Sequence, residues 1–302
     1  MIVRSVWRVP MKLSEWQPEK TNLVRDGSFS SLGTVFTHNP GQIIWIVRER
    51  DIVKIQSTPA VSCVITTNAL AGKIPDTIGV LSSDDPRSAF NSLQARLSQI
   101  PAFVLPPFAN RIADSAKIHP SAHIAANSVE IGENVVIEKN VVIHEQTVID
   151  EGSIVRPNSI IGGNPPGQCI EGNSLITCPA GGVHLGREVD IHANTCIQRA
   201  LFKGYTEIGR QSKIDNLDTI GQGTRIGERC LICAGVAIGE SVSIGDDGWI
   251  GPNVTLNDQI SIGKNEYITI GSTVTQDIYD DKVVKDNYSL DRKRFRKVIR
   301  GM

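Results

Sequence analysis

The chain has 302 residues, 31 basic and 32 acidic side chains, a net charge of −1 and 40% hydrophobic content. That is enough length for two domains and a sizeable core, at the ordinary composition of a soluble protein. Near-neutral charge points away from a nucleic-acid partner; Arg4, Trp7, Arg8 and Pro10 break up any signal peptide, and no later apolar stretch is long enough for a membrane span.

In chain order, residues 1–108 carry no short repeat and read as a small α/β domain for nucleotide or substrate binding. Strands are predicted over 42–47, with Ile43, Ile44, Trp45 and Ile46, and over 61–66, because both are β-branched runs bounded by turn residues. A helix is predicted over 83–100: Asp84 or Asp85 caps it, Pro86 suits its first turn, and Ala89, Phe90, Leu93, Leu97 and Ile100 form an apolar stripe. Pro101, Pro106 and Pro107 mark a linker.

Residues 109–278 follow a different rule. From Ile208 to Val274 an aliphatic residue occupies every sixth position, and Gly often comes next, as at Gly209, Gly221, Gly227 and Gly239. Neither a helical nor a strand period yields a strict six, so each hexad describes one flat face and one corner of a parallel β-helix, with aliphatic side chains stacked inside and glycine suiting the corner dihedrals. The pattern opens at Ile112, Ile118 and Ile124, slips by one, and resumes at Ile131, Ile137, Ile143, Ile149, Val155 and Ile161. It pauses over 162–184, read as a loop thrown out of the prism, and again before Ile208; at three hexads per coil there are about eight coils.

The tail, 279–302, is basic, with Arg292, Lys293, Arg294, Arg296, Lys297 and Arg300. A short helix over 291–300 is expected, either simply solvated or docking an acidic carrier protein or a phosphate-bearing cofactor. The six cysteines form no disulfide framework. Cys230 and Cys233 have the spacing of a zinc pair but no second pair follows, so they are read as packing thiols of a protein in the reducing cytoplasm.

The α/β domain, the Pro linker, the run Gly186-Arg187-Glu188-Val189-Asp190-Ile191, then Ile197-Gln198-Arg199 and Ile214-Asp215-Asn216, resemble the UDP-3-O-acylglucosamine N-acyltransferases of lipid A synthesis. More widely the chain is similar to the left-handed β-helix acyltransferases that modify sugar nucleotides. The resemblance implies a left-handed helix and a cytoplasmic bacterial homotrimer with active sites in the clefts between prisms. It also implies an acyl thioester donor, coenzyme A or acyl carrier protein, with Ala234, Gly235 and Gly251 as donor-binding candidates. The acceptor it implies is a nucleotide-linked amino sugar for surface polysaccharide or lipopolysaccharide.

Such chemistry needs a neutral amine held against a thioester carbonyl, a base for the proton lost on attack, and donors for the oxyanion. The family places its base, a His, where this chain has Gln222, and an amide cannot take that proton. Three readings follow. The amine supplies its own neutral form while Gln222 positions it; another group acts, with Arg199 and Glu240 stacked beside Gln222 and His192, Asp215 and His144 as further candidates; or catalysis has been lost. In the first domain Trp45 matches the aromatic on which the family stacks uracil, and Arg48 is placed to meet a phosphate, although Trp45 also reads as core. Asn216 and Arg199 complete the substrate-binding candidates, and no metal is expected because no closely spaced His pair exists. The expected activity is N-acyl transfer; the alternatives are an acetyl-CoA-dependent sugar O-acetyltransferase and a non-catalytic nucleotide-sugar-binding trimer.

Overall fold

The computed structural model describes residues 10–291 apart from 36, 38, 57, 167–168, 172–173, 177, 281 and 286–287. It divides into two compact units: the chain through Pro106 with Pro166–Ala180 and Phe202–Gly204, and Pro107–Pro165 with Gly181–Leu201 and the chain from Tyr205 onward. Among the described residues no helix is long and apolar enough to cross a membrane.

The first unit is built on a five-stranded sheet in which Ser31–Leu32, Gln42–Trp45, Val61–Thr66 and Gly79–Ser83 run parallel and Thr21–Arg25 closes the edge antiparallel. The helix Pro86–Leu97 starts where its cap requires: Asp85 accepts from the Ser88 amide at 3.1 Å, and Pro86 fills a position whose amide needs no partner. Its predicted stripe, Ala89, Phe90, Leu93 and Leu97, lies on Phe29, Ile43, Cys63, Ile65 and Leu81, while Ile44, Val64 and Val80 build a second core on the opposite face of the sheet. The first strand stops at Trp45 rather than 47, and neither strand 21–25 nor strand 79–83 was signalled by alternation: 79–83 is buried on both faces, while 21–25 is an edge strand whose middle residues, Leu23 and Val24 included, are exposed.

The second unit is mainly β, a left-handed parallel β-helix of eight coils with three sheets of eight, ten and eight strands. Its first face stacks Ile112, Ile131, Ile149, Leu185, Ile208, Ile226, Ile244 and Ile262. The second stacks Ile118, Ile137, Val155, Ile191, Ile214, Ile232, Ile250 and Ile268. The third stacks Ile124, Ile143, Ile161, Ile197, Ile220, Ile238, Leu256 and Val274. From Ile131 onward these side chains are almost wholly buried in one continuous core. The slip after Ile124 is absorbed without loss of stacking, since Ile131 still pairs with Ile112.

Three local expectations change. The excursion expected over 162–184 is shorter, because Ile160–Gly163 and Gly182–Leu185 both belong to the sheets, and it holds an antiparallel hairpin, Cys169–Glu171 with Ser174–Ile176. Asp291, where a helix was expected to begin, lies in the strand Tyr288–Asp291, which pairs with Lys282–Lys285 and extends the second face; the rest of that helix lies outside the described residues. The glycines after the inward residues also have a different cause. Gly209 carries no left-handed φ, but a Cβ there would lie 2.5 Å from the Gly227 backbone one coil above, so stacking distance and not corner torsion demands glycine.

The left-handed torsion falls three residues after most of the inward aliphatics, at Asn194 (φ 59), Gln211 (φ 61), Asn253 (φ 56) and Asn265 (φ 58), among others. Short polar side chains tolerate that region and Leu does not, yet Leu217 holds φ 65 with 65% of its surface exposed. Leu217→Asn therefore stabilises the fold by about 1 kcal/mol, the scale of the left-handed penalty for a residue with a Cβ; a rise in denaturation midpoint at unchanged slope is the check.

Candidate active site

Hexad stacking turns the residue after each inward aliphatic into a column along a prism edge. On the edge between the second and third faces that column includes Arg156, His192, Asp215, Cys233 and Gly251. His192 is held between two carboxylates, with Nε2 3.4 Å from Asp190 Oδ2 and Nδ1 3.6 Å from Asp215 Oδ1. Arg156 grips Asp190 with two parallel bonds, Nε to Oδ1 at 2.9 Å and Nη2 to Oδ2 at 2.8 Å, and these bonds, with the charges of Asp190 and Glu138 and against the opposing effect of burial, raise the guanidinium's already high pKa. Asn216 fixes Asp215: its amide and its Nδ2 both donate to Asp215 Oδ1 at 2.7 Å, while its own Oδ1 accepts from the Ala193 amide at 3.1 Å. The His192 side chain is 32% exposed, so an imidazole with carboxylates on both sides is open to a reactant.

The donor-binding candidates share this edge. The Gly235 amide donates to the Asn216 carbonyl at 3.0 Å, and Ala234 accepts from the Asn253 amide at 3.0 Å. At Gly251 a Cβ would come 2.8 Å from the Ile268 carbonyl, so that corner is narrow for the same stacking reason as Gly209.

Gln222 and Glu240 stand on another edge, between the third and first faces, stacked one above the other with Arg199 below Gln222. Gln222 is 5% exposed; its amide meets Gln198 Oε1 at 3.3 Å, and its Oε1 is sealed from solvent without a hydrogen-bond partner. Arg199 is turned inward, Nε donating to the Gly181 carbonyl at 2.8 Å, and burial lowers its pKa against the opposing charge of Glu145. His144, further along this edge, is held neutral into more acidic solution than an ordinary imidazole, first by burial and then by the positive charges of Arg199 and His123. The fold thus brings together His192, Asp215 and Asn216, and separately Gln222, Glu240 and Arg199, but does not join the two sets on one edge of one chain.

In the first unit Arg48 pairs with the buried Asp51 at 3.1 Å, and the guanidinium of Arg87 lies 5.8 Å from the centre of the Trp45 ring, which itself packs against the core. Cys230 is a buried packing thiol whose Sγ reaches the Gly245 carbonyl at 3.1 Å. The residues that sequence reading missed are Arg156 and Asp190. A signal existed, since Arg156 follows Val155 as His192 follows Ile191. The excursion between them sets Arg156 and Asp190 34 positions apart where uninterrupted coils repeat every 18, which hides the stacking.

Three parallel sheets wound from hexads, with polar corner columns, define a left-handed β-helix of the transferase type. Residues 128–163 match the family described as bacterial transferase hexapeptide (six repeats), and residues 219–240 match the hexapeptide repeat of succinyl-transferase. Over those two stretches the chain carries the hexapeptide repeats that these family models describe. It is 44% identical over 70 residues to UDP-3-O-acylglucosamine N-acyltransferase 1 of Francisella tularensis subsp. holarctica, a match covering 22% of this chain and 20% of that protein. To the UDP-3-O-acylglucosamine N-acyltransferase of Oleidesulfovibrio alaskensis it is 50% identical over 56 residues, 18% of this chain and 16% of the other. The matched stretches thus span about a fifth or less of those relatives' lengths. Among solved structures, UDP-N-acetylglucosamine acyltransferase from Campylobacter jejuni aligns over 61% of this chain and 82% of its own at 19% identity and a TM-score of 0.45.

Proposed function

We propose that this protein is an acyltransferase that moves an acyl group from a thioester of coenzyme A or acyl carrier protein to the amino group of a nucleotide-linked sugar, with His192 as the base. The observation that carries this reading is the His192 imidazole set between Asp190 and Asp215 on an open edge of a transferase-type β-helix. The names of the partial relatives, which are N-acyltransferases of an acylated UDP-glucosamine, support the substrate class.

In the proposed step the amine nitrogen attacks the thioester carbonyl and the His192 ring takes the proton the amine loses. The tetrahedral intermediate then expels the thiolate, which is protonated as the amide is released. Asp215, pinned by Asn216, and Asp190, pinned by Arg156, hold the ring in its orientation. The glycine-lined corner above, with Ala234, Gly235 and Gly251, receives the donor's pantetheine arm. The first unit, through Trp45 and Arg48, takes the nucleotide. The protein acts in the bacterial cytoplasm as a homotrimer, in which the edge bearing Gln222 and Arg199 in one copy completes the His192 edge of another. It serves surface polysaccharide or lipopolysaccharide synthesis.

The test is mass spectrometry after incubation with UDP-, dTDP- and GDP-linked amino sugars and with short acyl-CoA or acyl carrier protein thioesters. The expected product is one acyl group heavier and resists mild base, as an amide does. A base-labile product would establish O-acyl transfer instead, and binding of a nucleotide sugar without turnover by any donor would sink the enzymatic reading.

A further inference from the structure

At the corners of the prism, many residues two positions before an inward aliphatic are hydroxyl residues that tie one coil to the next. Ser153 donates to the Gly186 carbonyl at 2.8 Å and accepts from the Val189 amide at 3.1 Å. Ser212 does the same with Gly227 (2.7 Å) and Cys230 (2.9 Å), and Thr224 with Gly239 (2.9 Å) and Val242 (3.2 Å). On the edge that carries His192, Ser159 donates to the His192 carbonyl at 2.7 Å and Thr195 to the Asp215 carbonyl at 2.7 Å, each also accepting an amide from the coil above. Each of these rungs is completely buried, and each must both donate and accept.

The next rung on the His192 edge is Asp218, with 0% exposure. One oxygen does what a hydroxyl rung does: Oδ1 accepts from the Val236 amide at 2.7 Å. The other, Oδ2, is buried with no hydrogen-bond partner. Coil register puts the Cys233 carbonyl where His192 and Asp215 present theirs to the rungs below. An ionised carboxylate cannot donate there, and leaving it charged and unpaired in the corner would be costly; a carboxylic acid satisfies both requirements with one proton.

We infer that Asp218 is held as the neutral carboxylic acid, its Oδ2–H directed at the Cys233 carbonyl, and that this proton latches the Asp215–Asn216 turn to the turn above it. Burial raises its pKa to about 8, with the negative charge of Asp215 adding to the rise and the backbone amides of Val236, Asp215 and Gly235 opposing it. The titratable groups that act on it are Asp215 in its own turn and Cys233 in the turn above; from the turn below it meets the Thr195 hydroxyl. The latch is closed in neutral and acidic solution and opens as pH rises past its ionisation. Its bearing on the reaction rests on the proposal that His192 and Asp215 form the catalytic turn, in which case Asp218 is a positioning residue; the protonation state itself does not depend on that proposal.

Because the carboxyl ionises near 3.8 when unfolded and near 8 when folded, the native state binds the extra proton between those values, and stability conferred by that proton falls as pH rises across the window. Asp218→Thr restores the ordinary rung without a titrating group. Its melting temperature relative to wild type is expected to climb steadily from pH 4 to pH 8 and then level off; a pH-independent difference would overturn the inference. Infrared spectra supply the direct readout: wild type at pH 6 shows a buried protonated-carboxyl band that Asp218→Asn lacks and that fades as pH passes 8, and absence of that band at pH 6 rejects the assignment. If turnover is assayed alongside, the wild-type activity loss above pH 8 disappears in Asp218→Thr. An unchanged alkaline loss with the band present removes only the link to the reaction, so failure of the catalytic proposal and failure of the acid assignment are told apart.

Discussion

Replacing His192 by Ala lowers kcat/KM for acyl transfer by about 10² to 10⁴, the usual contribution of a general base. The backbone is expected to hold, because residue 192 keeps its amide bond to the Ile214 carbonyl at 2.8 Å and its carbonyl keeps the Ser159 hydroxyl at 2.7 Å. Thermal unfolding should therefore change little while turnover collapses. Added imidazole is expected to restore part of the rate, since the side chain is exposed enough for a small base to enter its place. Asp215→Asn, which keeps the shape but removes one stabilising charge, loses less. Gln222→Ala is expected to leave the pH dependence of the rate as it was, because an amide does not titrate. A His192→Ala enzyme with full activity, or a Gln222→Ala enzyme whose pH profile shifts, would move the base to the other edge of the prism, where Glu240 and His144 are the titratable candidates.

The second large effect concerns the core. Ile232 has no exposed surface and stacks between Ile214 and Ile250 in the middle of the second face. Truncation to Ala removes its packing on both sides in a column that cannot collapse without shortening the strand spacing, so the cost is about 2–5 kcal/mol. A solenoid transmits such damage chiefly to its neighbours. Amide exchange should accelerate most in Lys213–Ile214, Leu231–Ile232 and Trp249–Ile250, with the coil around Ile131 and Ile137 nearly unaffected. Ile270, 66% exposed on the same chain, provides the control: its truncation is expected to cost under about 0.5 kcal/mol. Loss of protection spread evenly through every coil would refute this local view.

Much of the second unit was legible before any coordinates, because inward side chains in a stacked coil must be aliphatic at a fixed spacing and the chain obeys that rule with few interruptions. Both slips, after Ile124 and before Ile208, could be placed as well. The first unit was less legible: its helix announced itself through Asp85 and Pro86, but the strands 21–25 and 79–83 lack the alternation that marks a half-exposed strand. At the candidate site, individual residues could be nominated but their grouping could not be read. His192, Asp215 and Asn216 were all candidates, and so were Gln222 and Glu240, yet only the winding of the coil assigns the two groups to different edges. Arg156 and Asp190 were not nominated for the site because the long excursion between them shifts one coil's numbering against the next.

What the sequence by itself determined is the hexad, the number of coils and the identity of each inward residue, because burial along a prism depends on spacing alone. The tertiary structure decided everything that depends on stacking. It set the carboxylates on both sides of His192, sealed Gln222 into its corner, gave the corner glycines their steric rather than torsional reason, and left one oxygen of Asp218 buried where the hydroxyl rungs below it, Ser159 and Thr195, donate a hydrogen bond. Apart from Asp190, which lies two residues from His192, those relations join residues of different coils, and contacts between coils create them.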